Sequence, residues 1–200
     1  GLAREKIGAI REFHFKIIES LFEEPATVKS DVQEFLNQVS AGIERKELSY
    51  SEAYDFIVHH GELISTKIIA AYVGQVTPTV WQDTRLLIHT DDQFKRATVR
   101  WDETTTAIQN RIDLGKVNVV QGFIGATASG LPTTLGREGS DYTGAVFAFC
   151  LGADSLTIWK DVPGMLNADP KTFQNTTKID RLPFNEAIEL AFYGASIIHP

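Results

Sequence analysis

Arg137, Ser140 and Asp141 lie close together in the run Thr133-Thr134-Leu135-Gly136-Arg137-Glu138-Gly139-Ser140-Asp141-Tyr142-Thr143-Gly144. An arginine presents a planar fork of donors that suits a carboxylate or a phosphate. Gly136 and Gly139 let the backbone turn sharply and approach a ligand closely. Ser140 is a good helix N-cap, and Asp141 falls in the first turn of the helix that would follow. Free N–H groups at a helix start add to the attraction for an anion. These residue types point to anion binding. Glycine-rich strand-to-helix turns also serve as plain connections, and the run alone leaves that reading open. It is not a phosphate-binding P-loop, because no Gly-Lys-Ser/Thr closes it, and its glycine spacing does not fit the dinucleotide fingerprint.

For such a turn to form, a strand must enter it and a helix must leave it. The apolar run Lys116–Gln121 reads as a buried strand and Ala145–Leu151 as a helix. Gly122 then falls near the carboxyl edge of the sheet, where open α/β sheets bind ligands. Residues 122–127 are expected to turn, with Ser129-Gly130 as a hairpin tip. Upstream, residues 2–23 and 29–46 repeat apolar positions at helical spacing. Ser49-Tyr50-Ser51-Glu52 is a capping box. The helix it opens should run to about Gly74, with Gly61 interrupting or bending it. Thr79–Gln82, part of Asp83–Thr90, and Lys95–Arg100 are expected as short strands, the last at a sheet edge. Trp101 to about Ile112 reads as a helix, Ser155–Trp159 as another strand, and Pro183 as the start of a final helix to 194. Strands alternating with helices predict an α/β chain with a mostly parallel sheet. Its mainly helical subregion is residues 1–75, and its α/β part residues 76–200.

Other candidate chemistry is thinner. His59 and Glu62 share a helix face beside His60. Zinc needs three or four ligands, and no partner set with metal spacing occurs, so no metal site is expected. Asp91-Asp92 fits a solvated turn, and His14 a surface or packing position. Lys160–Pro170 is a long loop, a feature that in a compact domain often carries function. The net charge of −7 argues against nucleic acid and anionic membranes as partners. With 43% hydrophobic and 22% charged residues the chain can bury a core. Cys150, the single cysteine, sits in an apolar run and reads as a core residue. No run reaches the ~18 apolar residues of a membrane span, and no signal-peptide pattern opens the chain, so a cytoplasmic location is expected.

The run at 133–143 closely resembles the aspartokinase motif T-T-L-G-R-G-G-S-D-Y-T, departing only at Glu138. Three further stretches resemble that family's motifs in the same order. They are His60-Gly61-Glu62-Leu63-Ile64-Ser65, Ile158-Trp159-Lys160-Asp161-Val162-Pro163-Gly164, and Glu186 to Ala195 followed by His199-Pro200. The chain is thus identified as similar to aspartokinase catalytic domains over residues 60–200. The resemblance implies the amino-acid kinase fold, a three-layer α/β/α sandwich. It implies ATP-dependent phosphorylation of the side-chain carboxylate of L-aspartate, the entry to lysine, threonine and methionine synthesis. It also implies Mg²⁺ as the companion ion of ATP and a homodimer or higher oligomer in the parent protein.

The resemblance implies roles as well. Arg137 would hold the substrate's α-carboxylate and Glu62 its ammonium group, with Ser65 one turn on. Ser140 would orient the substrate, and Asp141 would organise the site. Lys160, Asp161 and Gly164 would line the nucleotide pocket, with Asp169 near it. Glu138 and Lys160 depart from the family pattern, and Ser196 stands where a nucleotide-contacting lysine is common, so Lys160 would supply the charge that Ser196 lacks. The family's opening Lys-Phe-Gly-Gly-Thr-Ser loop is not found here. The expectation is therefore a piece of a longer protein, without its first two strands and with little kinase activity of its own. Alternatives are a related kinase acting on glutamate, N-acetylglutamate, carbamate or a nucleotide, and a non-catalytic interaction fragment.

Overall fold

Helical periodicity governs the first third of the chain. Helices α1 (Leu2–Leu21), α2 (Ala26–Ile43) and α3 (Tyr50–Val73) follow one another. The structure, a computed structural model, describes residues 2–162 and 164–194. Ala195, Ser196, His199-Pro200 and Pro163, which carry part of the motifs above, lie outside the described residues. The three helices share one apolar cluster of Ile18, Val28, Val32, Leu36, Ile64 and Ile68. Burying each such side chain contributes about 1.5–3 kcal/mol.

Ser49 starts α3 as its spacing predicts. The Glu52 N–H donates to Ser49 Oγ at 3.3 Å, and the Ser49 N–H donates to Glu52 Oε2 at 2.7 Å. Gly61 does not interrupt this helix, so that half of the expectation fails. Packing on both sides of Gly61, with Leu63 and Ile64 buried, outweighs a glycine penalty of about 1 kcal/mol.

Short strands follow: β1 (Thr79–Trp81), β2 (His89–Thr90), β3 (Val117–Val119), β4 (Ile124–Thr127) and β5 (Pro132–Thr134). Helix α4 (Trp101–Arg111) lies between β2 and β3, and α5 (Gly139–Leu151) follows β5. β1 pairs with β3 in parallel, and β2 pairs with β4 in parallel. β4 and β5 form an antiparallel hairpin around Ser129-Gly130. All four residues of β4 are buried. Alternate residues point to opposite faces, so both faces of β4 are covered. Helix α3 packs on β1, β3 and β5, while α5 packs on β4 and α4 on β2. This is a mixed α/β architecture with a mostly parallel sheet among the described residues. Leu87, Ile88, Val99, Ile108, Leu135, Val146 and Cys150 form its core.

Three expected strands change. The buried central strand is Ile124–Thr127, where a turn was expected, and β3 before it is only partly covered. Lys95–Arg100 is not a ladder strand. Its Lys95 has φ 72, and only Val99 bridges, to Thr90. Ser155–Trp159 forms no regular element, is exposed and pairs with no described strand. Alternating residues favour strand geometry but cannot supply a partner.

The chain divides into two compact units, Gly1–Asp154 and Ser155–Pro200. Within the second, Leu166 bridges Lys178, and helix α6 (Phe184–Phe192) follows Pro183. No helix among the described residues is long and apolar enough to cross a membrane.

The adjacent His59 and His60 rings, tilted by 47°, belong to this scaffold. Both are buried, with ring centroids 4.0 Å apart. His59 Nδ1 donates to the Asp55 carbonyl, so its neutral Nε2 can accept from Arg85 Nη1 at 3.2 Å. Arg85 is itself clamped by Asp83, with Nη2–Oδ2 at 2.6 Å. Burial, then the neighbouring His60 and Arg85, push the His59 pKa down to about 3. The folded chain keeps this ring neutral, whereas the unfolded chain takes a proton near pH 6.5. Stability is therefore expected to fall as pH drops below about 6.5, by up to ~1.4 kcal/mol per pH unit from this group. Urea unfolding at pH 7.5 and pH 5.5 checks this, and His59→Gln should flatten the dependence. Ser49→Ala should cost about 1 kcal/mol in the same assay through loss of the cap.

Candidate functional site

The site begins where β5 ends. Thr133 and Thr134 close the strand, and Leu135 donates its N–H to the Phe123 carbonyl at 2.8 Å. Gly136 then turns with φ 81, Arg137 stands exposed, and Glu138 adopts φ 54. A left-handed residue that is not glycine costs roughly 1–2 kcal/mol. That geometry explains why the resembled motif carries glycine at the position of Glu138.

Helix α5 starts at Gly139, earlier than the sequence suggests, with Glu138 at its N-cap and no side-chain cap bond. Ser140 is therefore not the N-cap. It lies inside the first turn, exposed, with the half-buried Asp141 next to it. The backbone behind is tight. A Cβ on Gly122 would lie 2.7 Å from Ser140 Cβ, and one on Gly139 would lie 2.8 Å from the Phe123 ring. Glycine at 122 thus lets the end of the 117–121 segment meet the start of α5. Thr143 Oγ1 accepts the Phe123 N–H at 2.9 Å, locking Phe123 at φ 72.

The backbone of Glu62 is linked to this region through a chain of hydrogen bonds. Thr66 Oγ1 donates to the Glu62 carbonyl at 2.7 Å. The same oxygen accepts from Gln121 Nε2 at 2.8 Å and from Trp81 Nε1 at 3.1 Å. Gln121 is fully buried and also binds Thr84 through its side chain and its backbone. Gln121 precedes Gly122, which abuts Ser140. Glu62 is half-buried, and burial pushes its carboxyl above the ordinary carboxylate range. A buried carboxylate gains from a cationic partner. Ser65 is exposed on α3.

Sequence reasoning missed Asp55, which is fully buried. Its Oδ2 accepts the Lys95 and Thr134 N–H groups at 2.8 and 2.9 Å, and its Oδ1 accepts the Thr134 hydroxyl at 2.8 Å. Its signal was available. Asp55, His59, Glu62 and Thr66 recur at helical spacing, and an acid on the stripe that packs inward needs a partner.

In the second unit, Lys160 and Gly164 are half-buried, and Asp161 and Asp169 are exposed. Gly164 has φ 126, with the Lys178 chain 3.2 Å from where a Cβ would lie. Asp169 Oδ1 accepts the Lys171 N–H at 2.9 Å and so shapes its own turn. No group of three or more His, Cys, Asp or Glu able to hold a metal occurs among the described residues.

The Amino acid kinase family model matches residues 16–200. The chain is 36% identical over 202 residues to lysine-sensitive aspartokinase 3 of Escherichia coli (strain K12), covering 98% of this chain and 44% of that protein. It is 32% identical over 204 residues to chloroplastic aspartokinase 1 of Arabidopsis thaliana, covering 98% and 36%. The crystal structure of E. coli aspartokinase III in complex with aspartate and ADP (R-state) superposes with a TM-score of 0.90 at 33% identity, covering 99% of this chain and 45% of that one. The chain thus spans less than half the length of these relatives. Matched nearly end to end in sequence and in fold, it belongs to the amino acid kinase family and is similar there to the aspartokinases.

Proposed function

We propose that this chain is part of an aspartate kinase, which transfers the γ-phosphoryl group of ATP to the side-chain carboxylate of L-aspartate and forms 4-phospho-L-aspartate. The observation that carries the reading is an exposed arginine at a glycine turn and a half-buried carboxylate on α3, neither of which has an ion-pair partner among the described residues. An α-amino acid offers a carboxylate for Arg137 and an ammonium group for Glu62. The solved E. coli relative holds aspartate and ADP, which supports the same substrates here.

The mechanism needs little proton chemistry. The substrate carboxylate has a pKa near 3.9 and is already ionised at pH 7. Bringing it to a polyanionic nucleotide is the difficulty, so positioning and charge neutralisation dominate. Arg137 holds the α-carboxylate, Glu62 holds the ammonium, and Ser140 and the N–H groups at the start of α5 orient the substrate, with Ser65 one turn beyond Glu62. Asp141 organises the same turn. In the second unit, Lys160, Asp161 and Gly164 serve the nucleotide, and Asp169 shapes the loop beside them. The described acidic residues form no metal cage. Mg²⁺ would be carried chiefly by the phosphate oxygens, which suits an ion that keeps several waters. The reading includes the entry step of lysine, threonine and methionine synthesis, a cytoplasmic location and a homo-oligomeric parent protein. The 200-residue chain by itself is expected to turn over little ATP.

Calorimetric titration of the chain with L-aspartate, D-aspartate and L-glutamate tests the proposal. Selective binding of L-aspartate is expected. Arg137→Ala and Glu62→Gln should each weaken it about 10- to 100-fold, the equivalent of one charge-assisted hydrogen-bonded contact. Preference for L-glutamate, or binding indifferent to Arg137→Ala, would overturn the assignment.

A further inference from the structure

We infer that Asp55 is a positioning residue for Arg137, tying the arginine's turn to the helix that carries Glu62. The inference rests on the substrate reading above. Asp55 is fully buried, and among the described residues none of the hydrogen bonds made by its carboxylate comes from a cationic side chain. Its charge is compensated by the Lys95 N–H, the Thr134 N–H and the Thr134 hydroxyl. A buried carboxylate needs such donors, and hydrogen bonds to an ionised group are about twice as strong as neutral ones.

The two segments that Asp55 holds are the two that build the turn. Thr134 is the last residue of β5, three positions before Arg137. Lys95 lies beneath the turn, since a Cβ on Gly136 would sit 3.4 Å from the Lys95 carbonyl and 3.6 Å from Arg96 Cα. Asp55 therefore fixes both the strand that delivers Arg137 and the backbone on which Gly136 rests. On the other side, Asp55 and Glu62 lie two helical turns apart on the same face of α3, about 10 Å along an unbroken helix. One rigid element thus bears the carboxylate for the substrate's ammonium and the anchor for the guanidinium that meets its α-carboxylate. Those substrate groups are joined by one carbon, so their receptors must hold a fixed separation. A misplacement of about 1 Å can cost ~100-fold.

A double-mutant cycle on L-aspartate affinity tests this, using the full 200-residue chain, Asp55→Asn, Arg137→Ala and the pair. Asp55→Asn keeps the shape and removes the charge that gathers the three donors. We expect Asp55→Asn to weaken L-aspartate about tenfold or more. Arg137→Ala should then cost at least about fivefold less in the Asp55→Asn background than in the native one, because coupled sites are not additive. Thr134→Val removes only the hydroxyl donor and should show smaller coupling of the same sign. It serves in place of Asp55→Asn if circular dichroism shows that variant unfolded. Ser49→Ala, which weakens α3 remotely, should be additive with Arg137→Ala. Additive losses for both Asp55→Asn and Thr134→Val, with Arg137→Ala still weakening binding, would overturn the positioning role and leave the substrate reading intact. Failure of the unchanged chain to bind L-aspartate would overturn both.

Discussion

Hiding the Asp55 carboxylate from water is the constraint to which the neighbouring elements conform. Removing an ionised group from water costs several kcal/mol unless donors replace the lost hydration. Here the donors come from two distant stretches of chain, so α3, β5 and the 91–98 segment must meet at one point. The conformation of Lys95 follows. Its N–H is engaged by the carboxylate, and its backbone bends to φ 72. A segment that sacrifices a ladder donor to a side chain cannot continue as a regular strand. Helix α2 presses on α3 through Val32, Leu36, Ile64 and Ile68, with Ile18 of α1 completing the cluster, which keeps the meeting point from drifting.

Elements whose periodicity was strong proved readable. The three opening helices, the capping box at Ser49, the hairpin tip at Ser129-Gly130 and the burial of Cys150 follow from local pattern and turn chemistry. The misassigned pieces depend on partners. Ile124–Thr127 begins after two residues that favour a turn, Gly122 and Phe123 at φ 72, and its Gly125 disguises a central strand. That glycine has a reason. A Cβ there would lie 2.8 Å from the Ile88 carbonyl, so two strand backbones approach where the sequence suggested a turn. Arg137 and Glu62 were legible as candidates through the motifs they sit in, and the structure places them at an exposed and a half-buried position. For Asp55 and Thr66 the helical spacing marks an inward polar stripe, but the partners of Asp55, Thr66 and Gln121 lie 37 to 79 residues away along the chain, which no local window contains.

The surroundings of Arg137 and Glu62 differ. The arginine is exposed at a tight turn. Glu62 is half-buried, and its carbonyl is tied through Thr66 to Gln121 and Trp81. Partial desolvation strengthens whatever ion pair Glu62 makes, while water weakens that of an exposed arginine. Glu138 complicates the turn twice, by its charge and by its left-handed backbone.

The adjacent Thr133 and Thr134 carry one more consequence. Thr90 Oγ1 gives its proton to the Asp91 carbonyl, so the 2.8 Å contact between Thr90 and Thr133 takes its proton from Thr133. Thr134 donates instead to Asp55. Successive strand residues point to opposite faces, so the pair is a two-sided key with one hydroxyl for β2, across the intervening β4, and one for the helix. A slip of β5 by one residue would present Leu135 or Thr133 to Asp55 and leave the other lock unfilled. Such a pair specifies the register of a strand only three residues long, for which hydrophobic alternation alone says almost nothing.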